Sequence, residues 1–227
     1  MNIRTQQWFA WSGPVLIVLF GSGLMTAGFL PPPAPSNTAA QVAAFYLEHS
    51  SRIRIGMVLL LLGAAFDLPW TIVISLQMWR TEGRFAPLTL LQFASGVVGI
   101  AFFVLPPSLW LVAAYRPLER SPETIQTLND LGWLPLLGVF GPIMAQQLSI
   151  AVAALRGPSA FPRWVGYFNL WCALANPCGG AVWFFTSGPL AWNGLIGFWI
   201  PAAAFGTWIL VMFPILRRAI TEQAAGA

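Results

Sequence analysis

Six apolar runs follow one another along the chain, at about 9–30, 55–79, 88–115, 134–155, 165–187 and 194–216. A helix needs about 20 mostly apolar residues to cross the hydrocarbon core of a bilayer. The pattern therefore predicts an all-α fold: a polytopic membrane protein, a bundle of six transmembrane helices forming one integral membrane domain over residues 1–227. Prolines within the runs, at Pro69, Pro106-Pro107 and Pro177, predict broken spans, because proline brings no N–H to the carbonyl four residues back. The first run follows an n-region holding only Arg4 and is long for a signal peptide, so it is expected to remain as a span.

The polar breaks between the runs differ by side. Those at 80–87 and 156–164 are short, with Gly and Pro as turn residues. On the opposite side 31–54 opens with Pro31-Pro32-Pro33-Ala34-Pro35, and Ser36 or Asn37 is expected to cap a short helix ending near Ser50. Within it Val42, Phe45 and Tyr46 form one apolar stripe suited to the membrane interface. The stretch 116–133 repeats the plan, with Ser121 as cap, Pro122 at the first helical position, and Ile125 and Leu128 on one face. Such stretches either rest on headgroups or cover an outward opening.

Orientation follows the arginine bias of the loops. Seven arginines (Arg4, Arg80, Arg84, Arg156, Arg163, Arg217 and Arg218) fall on the side of the termini, against Arg52, Arg54, Arg116 and Arg120 on the other. Both termini are expected to be cytoplasmic. Trp8, Trp11, Trp79, Trp133, Trp164 and Trp192 fall near predicted span ends, where indoles anchor to the interface. Gly23 and Ala27 form a small-xxx-small pair, which predicts a close helix contact within the chain or, in a homo-oligomer, between subunits.

Composition narrows the class further. With 57% hydrophobic and 8% charged residues, the chain falls far below the charge of about 25% typical of soluble domains. It cannot clothe a water-soluble surface, and it is too apolar for disorder. A net charge of +4 carried by loop arginines reports topology rather than nucleic-acid binding. There is no Lys, which removes Schiff-base chemistry. A single His, His49, removes multi-histidine metal centres and bis-histidine haem within one subunit. No metal site is expected, and no cofactor is specified. A Lys-free, Arg- and Ala-rich chain fits a GC-rich bacterial genome, hence a multi-pass protein of the bacterial cytoplasmic (inner) membrane.

Asp67 is the most informative residue. It stands twelve residues from either end of the second run, about 18 Å at the helical rise and so near the midplane. A carboxylate there costs about 2.5–3.5 kcal/mol on the lenient insertion scale. Gly56, Gly63, Thr71 and Ser75 lie along its face, a stripe that turns toward a bundle interior. A proton or cation site is one reading, and an acid hydrogen-bonded across helices is the other. Other runs place polar groups at similar depth: Gln92 with Ser95, Gly96 and Gly99; Gln146 and Gln147; Asn169 and Asn176. Singly such amides serve as interhelical glue; together they make a polar layer suited to orienting a substrate.

Three functions are compatible with this layer. In the leading one, a carrier of a small or lipid-like ligand uses Asp67 for a proton or cation, with Gln92, Gln146, Gln147, Asn169, Asn176 and Trp70 around the ligand. In the second, a membrane-embedded isomerase or cyclase uses Asp67 or His49 as general acid, in an apolar pocket walled by Trp70, Trp171 and Trp199. In the third, the chain is an accessory subunit whose layer is packing alone. Walker A, GxSxG, HExxH and CxxC motifs are absent. The order Leu19-Phe20-Gly21-Ser22-Gly23-Leu24, then His49 ahead of Gly56-Met57, resembles that of styrene oxide isomerases over a minor part of the chain. That resemblance implies haem held between subunits by His49. The Asn those enzymes carry after the His has no counterpart in Arg54-Ile55-Gly56, and two further spans depart from their plan.

Overall fold

The computed structural model describes residues 2–225, which are mostly helical with no strand among them. Helices α1 (Ile3–Ala27), α2 (Ala39–Ala65), α3 (Asp67–Glu82), α4 (Pro87–Tyr115), α5 (Pro122–Gly138), α6 (Gly141–Arg156) and α7 (Arg163–Ala175) lead to a 3-10 segment, Asn176–Trp183. A π-helical turn, Leu195–Trp199, then opens α8 (Ile200–Ala225). Among the described residues five helices are long and apolar enough to cross a membrane: Ile3–Ala27, Ala39–Glu82, Pro87–Tyr115, Pro122–Arg156 and Leu195–Ala225. The predicted run 165–187 is not one continuous helix. Pro177 removes a backbone donor and Gly179-Gly180 favours no helix, so α7 gives way to 3-10 turns at Asn176.

The other breaks also have local causes. Between α2 and α3 the chain turns at Phe66, whose N–H bonds to Gly63 O at 2.9 Å, and Pro69 brings no donor to the Ala65 carbonyl. The predicted run 134–155 is divided as well: α5 stops at Gly138, and α6 restarts at Gly141-Pro142, with proline where a helix accepts it. Helix α1 ends at Gly28, in the left-handed region at φ 72°, where its N–H and that of Phe29 return to Met25 O and Leu24 O.

Hydrogen bonds fix which ends lie together. Gln77 Nε2 donates to Gln6 Oε1 at 2.6 Å and to Gln223 Oε1 at 2.9 Å, and Arg80 donates to Ala219 O at 3.4 Å. The first turn of α1, the end of α3 and the end of α8 therefore share one face of the bundle. At this face Glu82 closes the turn into α4: its carboxylate accepts from Leu88 N (2.9 Å), Thr89 N (2.8 Å) and Thr89 Oγ1 (2.7 Å). These are donors that a helix start otherwise leaves unpaired. Glu82→Ala is expected to lower stability by about 1–2 kcal/mol, read as a lower unfolding temperature in detergent.

The opposite face departs from the expectation of separate interfacial helices. Thr38, not Ser36 or Asn37, is the cap, in a reciprocal box with Gln41, and α2 runs past Ser50 without stopping until Ala65. Val42, Tyr46 and Ile125 are buried within the protein rather than laid on headgroups. Tyr46 Oη donates to Asn129 Oδ1 and Trp110 Nε1 to Asn129 O, both at 3.1 Å, pinning α5 against α2 and α4. Trp133 and Trp192 are buried in the same cluster, ring centroids 6.4 Å apart, and are core residues rather than interface anchors. Trp8, Trp11, Trp79 and Trp164 are exposed, as anchors should be.

Gly23 and Ala27 are occupied within the chain. They meet Gly56 of α2 so closely that a Cβ on Gly56 would strike the Gly23 carbonyl and approach Ala27 Cβ to 2.9 Å. This is the close backbone approach that small residues allow.

Candidate functional site

Where the helix breaks converge, the bundle leaves a cavity of about 270 Å³. Asp67, Leu137, Val139, Phe140, Asn176 and Pro201, each at or beside a break, line it, and Gly21 of α1 and Gly99 of α4 complete the wall. The lining is mostly apolar, with phenylalanines from four elements and from the break between α5 and α6. Phe20 meets Phe103 edge to face at 5.4 Å, and Phe103 meets Phe205 at 5.3 Å.

Three polar side chains reach this cavity, all from the predicted layer. Asp67 is the first residue of α3, where the positive end of the helix dipole suits a carboxylate. It is 6% exposed and has neither a side-chain hydrogen bond nor an ion pair among the described residues. Among the described residues it is also the one titratable side chain lining the cavity. Gln146 donates through Nε2 to Thr71 Oγ1 at 3.3 Å. Asn176 donates through Nδ2 to Cys172 O at 2.8 Å and to Gln147 Oε1 at 2.7 Å. A backbone carbonyl only accepts, so this pairing fixes the amide's orientation and leaves Oδ1 as its free polar atom.

The remaining candidates lie elsewhere. Gln147 is buried and holds Asn176 without lining the cavity. Gln92 faces Ser75 Oγ across 2.5 Å and ties α4 to α3. Asn169 Nδ2 donates to Val165 O at 2.9 Å while its Oδ1 accepts from Trp208 Nε1 at 2.8 Å, joining α7 to α8. Trp70 is buried edge-on to Trp208 at 6.0 Å and outside the cavity, while Trp171 and Trp199 are 57% and 41% exposed. The expected tryptophan-walled pocket is thus walled by phenylalanine instead. His49 belongs to the other face, its Nδ1 3.1 Å from Phe45 O and its ring stacked on Phe45 at 4.7 Å. It does not line the cavity.

Asn169→Ala removes the acceptor for Trp208 but nothing from the cavity. Interhelical hydrogen bonds in membranes average about 0.6 kcal/mol and reach about 1.7. The variant is expected to lose about 1 kcal/mol of stability with ligand affinity unchanged, as unfolding and binding measured on one preparation will show.

Sequence reasoning missed the phenylalanines and two glycines, Gly21 and Gly206, at which an added Cβ would meet nothing within 4 Å. The Gly138–Pro142 breaker cluster was the available signal for the fourth run's break, which brings Phe140 to the wall. Among the described residues no three His, Cys, Asp or Glu side chains gather that could hold a metal ion. Comparison of the chain with protein-family models, with curated proteins and with solved structures returns no match.

Proposed function

We propose that the chain is a six-span protein of the bacterial inner membrane with cytoplasmic termini. In this reading it carries a small ligand through the central cavity, coupled to a proton or cation at Asp67. The observation that carries this is the cavity itself: an unpartnered, nearly buried carboxylate facing a mostly apolar space where several helix breaks meet. Carriers place substrate and coupling ion near the midplane, at discontinuous helices. A sixth crossing is supported by length. The 13 residues of α7 and the 8 of the 3-10 segment rise about 20 Å and about 16 Å, enough together for a core of about 30 Å. Cytoplasmic termini are supported by the excess of arginines at the face the termini share.

A second reading, an acid catalyst acting on an apolar molecule, is favoured by the same lone carboxyl among phenyl rings. Proteoliposomes loaded with an extract of small molecules separate the two. A carrier accumulates a solute only when a proton or sodium gradient is imposed, and Gly206→Leu, which fills the cavity, stops it. Gradient-independent formation of a new product, with no accumulation, overturns the carrier reading in favour of the enzyme.

A further inference from the structure

The chemistry of the cavity wall narrows the ligand, given the reading that the cavity holds one. Its one ionisable side chain is an acid, and among the described residues no cationic side chain lines the space to answer it. Asn176 has committed its N–H donors to Cys172 O and Gln147 Oε1, so what it offers is a carbonyl oxygen. Pro106 and Pro107 deprive the carbonyls of Phe102 and Phe103, two lining residues, of helical donors. The wall therefore joins free acceptors to one acid, against a single side-chain amide donor, Gln146 Nε2, already engaged with Thr71 Oγ1. Six phenylalanines stand among the aliphatic residues of its apolar part, and the faces of phenyl rings attract cations. At about 270 Å³ the space falls just below the usual range of about 300–1,000 Å³ for ligand pockets, which suits one ring and a short arm rather than an acyl chain. Gly21, Gly99 and Gly206 keep it that size: a Cβ on Gly21 or Gly206 would meet nothing within 4 Å, and one on Gly99 only Pro142 Cβ at 4.0 Å.

We infer that the ligand is a small organic monocation bearing N–H donors, an amine with an apolar body, its ammonium on Asp67 and its body among the phenylalanines. The ligand supplies the positive charge that the wall lacks and donors for its free acceptors. An unpaired ammonium or carboxylate in this setting is costly, whereas the pair satisfies both.

The test uses three probes of one shape on the purified full-length protein in detergent: 2-phenylethylamine, 2-phenylethanol and 3-phenylpropionate, with binding read by titration calorimetry. Wild type is expected to bind the amine at least tenfold more tightly than the alcohol, with the carboxylate weakest. Asp67→Asn is expected to erase the preference for the amine while still binding the alcohol, which also reports that the variant is folded. Equal or tighter binding of the alcohol or carboxylate by wild type overturns the inference, and so does a preference for the amine that survives Asp67→Asn. The underlying reading fails differently: no probe binds wild type, or Gly206→Leu leaves all three affinities unchanged. The ranking on wild type stands without any variant, so a misfolded substitution cannot rescue or sink it.

Discussion

Asp67→Asn is expected to reduce coupled ligand uptake more than tenfold and, at the same time, to leave the protein as stable as wild type or more so. The two effects have one cause. A carboxylate at a bilayer midplane costs about 2.5–3.5 kcal/mol, and beyond the dipole of α3 no partner offsets it: Asp67 has no hydrogen bond or ion pair among the described residues. An amide of nearly the same shape removes the penalty and keeps the packing, but cannot carry a proton or balance a cation. Uptake into proteoliposomes and thermal unfolding in detergent, run on the same preparation, read the two together. Were Asp67 instead a structural acid bonded across helices, the substitution would lower the unfolding temperature, and any loss of uptake would follow from that.

Gly56→Ala is expected to be strongly destabilising for so small a substitution. Its Cβ would run into the Gly23 carbonyl, which is backbone and cannot rotate away, and would press on Ala27. Helices α1 and α2 must separate to admit it, at a cost of about 1–3 kcal/mol or more. Gly21→Ala, two residues before Gly23 but facing open space, is the matched control. It loses no contact and gains helix propensity worth up to about 1 kcal/mol. A large fall in unfolding temperature for the first, with none for the second, is the predicted pattern. Equal effects would mean that α1 and α2 do not meet at Gly56.

Counting residues along an apolar run singles out Asp67, which lines the cavity, because depth along a helix depends only on rise per residue. The same count found Gln146 and Asn176. It also gathered Gln92, Gln147, Asn169 and Trp70 into the layer, and these stand at comparable positions but face neighbouring helices. Periodicity gives the polar face of one helix; it does not say which helices meet there. Asn169 and Asn176 are both polar positions of the fifth run, yet one binds Trp208 and the other lines the cavity, because the chain leaves α-helical geometry at Asn176. Trp133 and Trp192 read as anchors because they sit near the ends of apolar runs. They are core because α2 and α5 continue beyond those runs as helices and pack on one another. A hydropathy pattern registers where a bilayer would end, not where the protein builds a core of its own beyond it.

The carrier reading requires that Asp67 stand free in an apolar cavity that a small molecule can enter. Labelling the folded protein with dicyclohexylcarbodiimide, an apolar reagent that attacks carboxyl groups in apolar surroundings, tests this most directly, with the adduct mapped by peptide mass spectrometry. An adduct is expected on Asp67 in wild type, and its loss in Gly206→Leu, where leucine fills the space. An unlabelled Asp67, or labelling that Gly206→Leu leaves unchanged, would contradict a free carboxyl in an accessible cavity.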